Sequence, residues 1–158
     1  RGIFLFKAAS LDEAKAMAAE DPAIKAGRLR MDIFTWYGPK NIGKDLLAKF
    51  QADPKTPMTM TQFYLVLLSK GAKADEVSAA DKQKLQLEHM WNVRRRLDDK
   101  SFVTAGPFTD GGTLRGIFVI AAKTADEAKA IAESDPSVKA GVLAIEIHPW
   151  WVAKEVWP

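Results

Sequence analysis

Residues 1 to 36, RGIFLFKAASLDEAKAMAAEDPAIKAGRLRMDIFTW, repeat without a gap at residues 115 to 150, RGIFVIAAKTADEAKAIAESDPSVKAGVLAIEIHPW, with about half the positions identical. A gapless internal repeat of this length decides architecture before any other feature does. The chain starts in the middle of one copy and runs through the whole of the next. Each copy carries the same local signals. RGIFLF and RGIFVI are short apolar, β-rich runs that read as buried strands. Ser10-Leu11-Asp12-Glu13 and Thr124-Ala125-Asp126-Glu127 fit capping boxes, in which the hydroxyl caps the third helical amide and the Glu reaches back. Asp21-Pro22 and Asp135-Pro136 open a short second helical turn, and Gly27 and Gly141 close it. Leu29, Met31 and Ile33, like Leu143, Ile145 and Ile147, alternate with other residues and predict a final strand.

Only the second copy has a preceding half. The run Phe63 to Leu68 is almost continuously apolar and predicts a central strand. Lys70 to Glu76 reads as a turn, and a helix is expected from Ser78 to about Leu97 with Leu87, Met90, Trp91 and Leu97 as its apolar stripe. Phe102 to Ala105 predicts a strand that Gly106-Pro107 breaks, and Asp110-Gly111-Gly112 a tight turn into the next strand. The order β-α-β-β-α-β is that of the ferredoxin-like unit, an α+β fold. The expected organisation is a β-α-β half copy over 1–40, a helix (Asn41 to Phe50) and linker over 41–60, a complete domain over 61–151 and a Trp-rich tail over 152–158.

Composition narrows the function classes. There are no cysteines, which excludes disulfides, thiolate metal sites and a Cys nucleophile. The net charge is +3, and the scattered lysines do not form a nucleic-acid stripe. No apolar run approaches the roughly 20 residues that span a bilayer. No phosphate loop and no HExxH spacing occurs, so neither a nucleotide nor a zinc ion is expected. The compartment stays open, with the cytoplasm favoured and export allowed because the chain begins with Arg rather than Met.

The words YLVLLSKG, LQLEH with an Arg-rich continuation, AGPFTDGG, LRGIF, EAKAIAESDP, KAG and EIHPW stand in order between Phe63 and Trp150, and together they resemble the YCII-related (YciI-like) family. The half copy is similar to the family's second half. The resemblance implies a dimeric α/β barrel, in which two ferredoxin-like sheets pack face to face and tandem copies can act as the two subunits, with a homodimer as a further option. It also implies a His on the long helix and an Asp in the GPF-x-D-G turn as an active-site pair, here His89 and Asp110. A carboxylate beside an imidazole is chemically sensible, because it orients the ring and favours its charged form. On residue pattern alone, Asp110 reads as a plain turn residue and His89 as a helical His at the edge of an apolar stripe.

Ser69, at the end of the first strand, and Phe108, in the same turn motif as Asp110, are further candidates near the pocket. Arg115, like Arg1, opens a strand and either binds an anionic substrate or forms a salt bridge. His148 faces the cavity or packs at a barrel edge; its counterpart in the half copy is Phe34. Trp150, with Trp36 as counterpart, reads as packing, and Trp151 and Trp157 suggest a docking surface. Two functions follow from the resemblance. One is a cofactor-independent acid-base lyase or isomerase acting on a small cyclic or aromatic molecule. The other is a non-catalytic module that binds a small ligand or a protein. In the half copy, the third and fourth strands of the unit would lack the first strand that normally lies between them, so a native β-α-β half upstream is expected.

Overall fold

A computed structural model describes residues 2 to 157. The chain divides into two compact units, residues 1–35 and 36–158.

The first unit holds two helices, α1 (Leu11–Ala19) and α2 (Pro22–Lys25). Their caps follow the sequence reading. The Ser10 hydroxyl accepts from the Glu13 N–H, the Glu13 carboxylate accepts from the Ala9 N–H, and Asp21 accepts from the N–H groups of Ala23 and Ile24. Gly27 closes α2 at φ +67°, in the left-handed region where a Cβ is costly. Neither of the expected strands forms in this unit among the described residues. The reason lies in the ladder. In the complete copy the equivalent strands are both hydrogen-bonded to a strand between them, as described next, and residues 2–35 contain no counterpart of that strand. Ile3, Phe4, Leu5 and Leu29 are accordingly exposed rather than pleated into a sheet.

The second unit begins with α3 (Lys44–Ala52), followed by β1 (Met60–Lys70), α4 (Ala79–Asp98), β2 (Phe102–Pro107), β3 (Leu114–Ile120), α5 (Ala125–Glu133), α6 (Pro136–Lys139), β4 (Leu143–Ala153) and a 3-10 turn (Lys154–Val156). The helix expected from Asn41 starts three residues later, because Asn41 and Gly43 sit at φ +69° and +72° in a tight turn. The sheet is antiparallel in the order β2-β3-β1-β4. With α4 and α5 as its two connecting helices, this is the ferredoxin-like topology. Strand β1 is central, as its apolar run predicts.

Gly106-Pro107 does not break β2; the strand continues through both, paired with Ile117 and Gly116. Strand β2 is at an edge of the sheet, where a missing N–H is tolerated. Pro149 is accommodated in the same way on β4, the other edge.

Tyr64, Val66 and Leu68 of β1 point to one face and join Phe102, Phe118, Ile120, Ala128 and Ala132 in the core. Alternation along β1 and β4 puts Leu65 and His148, which face each other in register, on the opposite face.

Helix α4 meets the rest of the domain through a different stripe from the one its apolar residues predict. Leu87, Met90 and Trp91 are exposed, Trp91 by 75%. The inward residues are Leu85, His89, Asn92, Val93 and Arg96, which fall at i, i+4, i+7, i+8 and i+11 on one helical face. Three of these five are polar, and each of the three has a partner. His89 and Asn92 bond Asp135, and Arg96 donates to the Ser134 hydroxyl at 2.9 Å. The stripe was misassigned because hydrogen-bonded side chains here take the place that apolar ones usually fill.

The C-terminal tail turns back on its own chain. Trp157 packs edge-on against Trp150 with ring centroids 5.7 Å apart, and the Val156 carbonyl accepts from the Gly43 N–H at the start of α3. Trp151 remains 61% exposed. No described helix is long and apolar enough to cross a membrane.

Candidate active site

The chain between α5 and α6 reads Ser134-Asp135-Pro136. Asp135 is the N-cap of α6, and Pro136 takes the first helical position, where its missing N–H costs nothing. One oxygen of Asp135, Oδ1, accepts from the N–H groups of Ser137 and Val138 at 3.0 and 3.4 Å. The cap therefore leaves the other oxygen available. Oδ2 receives the Asn92 amide at 2.9 Å and stands 2.9 Å from Nδ1 of His89. Arg95 in turn donates to the Asn92 carbonyl oxygen at 3.1 Å. Asp135 is fully buried.

Burial opposes the charge on Asp135 most strongly. The hydrogen bond and charge of His89, the Asn92 amide and the Ser137 N–H together outweigh it and hold the carboxyl below its ordinary value. A charged carboxylate only accepts hydrogen bonds, so Nδ1 of His89 carries the proton shared with it. The remaining nitrogen, Nε2, has no hydrogen-bond partner among the described residues. The imidazole lies over Phe118, with centroids 5.9 Å apart and planes at 28°, and Phe118 is stacked on Phe102. The ring is thus held at one nitrogen and supported on one side, with its side chain 14% exposed.

His89 lines a cleft of about 1160 Å3 between α4 and the sheet, large enough for a small organic ligand. Its apolar lining includes Leu68, Val93, Ala105, Phe118 and Leu143, and its charged lining consists of Lys40, Lys70, Asp75, Lys82 and Arg115.

A family model for the YCII-related domain matches residues 63–151, more than half the chain. The chain belongs to the YCII-related family. The matched span takes in all four strands of the sheet and both members of the His89–Asp135 pair. Searches of curated proteins and of solved structures gave no match.

Of the residues singled out from the YCII-related motifs, His89 and Arg115 line the cleft. Asp110, expected to pair with His89, lies in the exposed turn between β2 and β3 and outside the cleft lining; the carboxylate on His89 is Asp135. Phe108 follows β2, with its N–H donating to the Arg115 carbonyl at 2.9 Å. Ser69 lies between Leu68 and Lys70, which both line the cleft, so strand alternation turns it to the other face. His148 faces away from the core cluster and bonds Oε1 of Glu146 at 3.0 Å, and Trp150 packs on Trp157.

Sequence reasoning missed Asp135, Asn92 and Lys82. A signal for Asp135 was present. In a βαββαβ unit both helices lie on one face of the sheet, so an Asp-Pro cap at the end of the second helix stands where the first helix can reach it. Among the described residues, no group of three or more His, Cys, Asp or Glu side chains is placed to hold a metal ion.

Proposed function

We propose that this YCII-related protein is a cofactor-independent acid-base catalyst acting on a small cyclic or aromatic molecule, with His89 moving the proton at Nε2 and Asp135 holding Nδ1. The observation that carries this reading is the 2.9 Å contact between His89 and a fully buried carboxylate, with the imidazole lining an open cleft. A carboxylate on one ring nitrogen fixes the tautomer and stabilises the charge that appears when the other nitrogen takes a proton. The apolar lining suits a ring-shaped substrate. In an elimination the C–H proton passes to Nε2 as the leaving group departs with its electron pair, and in an isomerisation Nε2 returns the proton to another atom of the ring.

The test is solvent-deuterium incorporation, followed by NMR, into a panel of cyclic 1,3-diketones, phenols and lactones. The wild-type chain is expected to exchange at least one panel member faster than buffer, and His89→Ala to lower that rate by about 10²–10⁴-fold. Exchange at the buffer rate across the panel, or an unchanged rate in the variant, rules the reading out.

A second reading has its own support. Asp135 already has sufficient structural work in capping α6 and tying α4 to it through Asn92. On that view His89 is part of a clamp, and the cleft binds a ligand without turnover. Saturable ligand binding with no exchange in any panel member would favour it.

A further inference from the structure

Strand β3 has an irregularity at the mouth of the cleft. Leu68 pairs with Gly116, but the next residue of β1, Ser69, pairs with Leu114, so Arg115 is an extra residue opposite no partner. A bulge of this kind bends the strand and re-aims a side chain, and such bulges concentrate beside active sites. Arg115 lines the cleft at this point and is exposed. It makes no ion pair among the described residues, and neither do Lys82 of α4 or Lys40. Lys70 is paired with Asp75 at 2.6 Å, and Asp75 is the only carboxylate in the lining among the described residues. Four cationic side chains therefore share the lining with one carboxylate, which Lys70 already pairs. The same convergence shows in Asp75 itself, held below its ordinary value by the Lys70 hydrogen bond and charge and, more weakly, by Lys82 and Arg115. Farther along the cleft, the partly exposed Leu143 and Val93 supply apolar surface near His89, whose ring covers the buried Phe118.

We infer that the ligand of this cleft is a planar carboxylic acid, whose carboxylate is held at the mouth by Arg115 with Lys82 and whose apolar ring lies against Val93 and Leu143 within reach of His89. This rests on the acid-base reading for the role of His89, but the anion assignment stands on Arg115 and Lys82 independently. A guanidinium fork matches a carboxylate in a way that a scattered lysine does not. Arg115 thus becomes a specificity-determining residue, and the bulge is the device that places it.

The experiment titrates the full chain with benzoate and with benzamide, two planar probes of similar size that differ in charge, and follows binding by NMR together with the imidazole resonances of His89. Benzoate is expected to bind at least about tenfold more tightly than benzamide, with the preference shrinking as salt is added. Arg115→Gln should lower benzoate affinity about five- to tenfold and leave benzamide binding unchanged, and Lys82→Gln should lower it by a smaller factor. Thermal melts of both variants check that the fold is intact. Equal affinity for the two probes, no binding of either, or benzoate binding indifferent to Arg115→Gln overturns the inference. The two readings separate cleanly. Charge-selective, Arg115-dependent binding that leaves the His89 resonances unmoved would remove the catalytic role of His89 and keep the anion site. Resonances that move equally with both probes would do the reverse.

Discussion

Replacing Asp135 by Ala removes four acceptor contacts at one buried point: two to backbone N–H groups of α6, one to Asn92 and one to His89. Loss of an N-cap carboxylate costs about 1 kcal/mol. Asn92 is only 7% exposed, and stranding its amide there adds about 1–3 kcal/mol. His89 is partly open to solvent and can be hydrated, so little is added for it. The expected loss is about 2–4 kcal/mol, a large share of the roughly 5–15 kcal/mol that stabilises a domain. With a urea m-value of about 2 kcal/mol/M, a 3 kcal/mol loss moves the midpoint down by about 1.5 M. The repeat supplies an internal control. Asp21 is the positional equivalent of Asp135 and, among the described residues, makes only the two cap bonds, to Ala23 and Ile24, so Asp21→Ala should cost about 1 kcal/mol or less. Asp135→Asn keeps a good capping residue and should fall between the two. Urea unfolding followed by circular dichroism reads all three. The reasoning fails if Asp135→Ala stays within 1 kcal/mol of wild type, or if Asp21→Ala costs as much.

Two other outcomes follow from the structure. Because the folded-state value of Asp135 is depressed, the stability it contributes is fully present above the unfolded carboxyl value of about 3.9 and is lost as pH falls through the lower folded value. The urea midpoint of the wild type should therefore drop more steeply below pH 4 than that of Asp135→Asn, and parallel acid profiles would contradict the assignment. At Gly71, where β1 ends, a Cβ would collide with the Gly141 carbonyl oxygen and come within 2.8 Å of the Val142 carbonyl carbon. Gly71→Ala should cost about 1–3 kcal/mol or more, whereas Gly112→Ala, with nothing within 4 Å, should leave the melting temperature nearly unchanged.

How far the sequence could be read depended on the range of each interaction. Caps are set within four residues, so Ser10, Thr124, Asp21 and Asp135 were legible as helix starts. The continuous apolar run from Phe63 to Leu68 identified the central strand, and the strand order followed from the βαββαβ pattern. The pairing of His89 with Asp135 spans 46 residues and leaves no local trace. Asp135 was also hidden by its own clarity as a cap, since the same Asp-Pro appears at Asp21, where its contacts are local. The strands expected in residues 1–35 had the right composition but no partner to complete the ladder. On α4, a hydrophobicity pattern cannot register an inward stripe in which His, Asn and Arg stand beside Leu85 and Val93.

That polar stripe also bears on how the cleft can move. Surface exposed on unfolding sets the denaturant dependence of any opening, and apolar surface sets most of its heat capacity. The inner face of α4 is held by directional bonds to Ser134 and Asp135, and it also packs Val93 on the core and His89 over the buried Phe118, so releasing it uncovers apolar area. Detachment of α4 is then an opening with an appreciable m-value, and should appear in native-state hydrogen exchange as α4 amides whose protection falls as urea is added. The element that carries His89 is thus fixed in direction by its polar bonds and in place by the core beneath it, so the imidazole and the core open together.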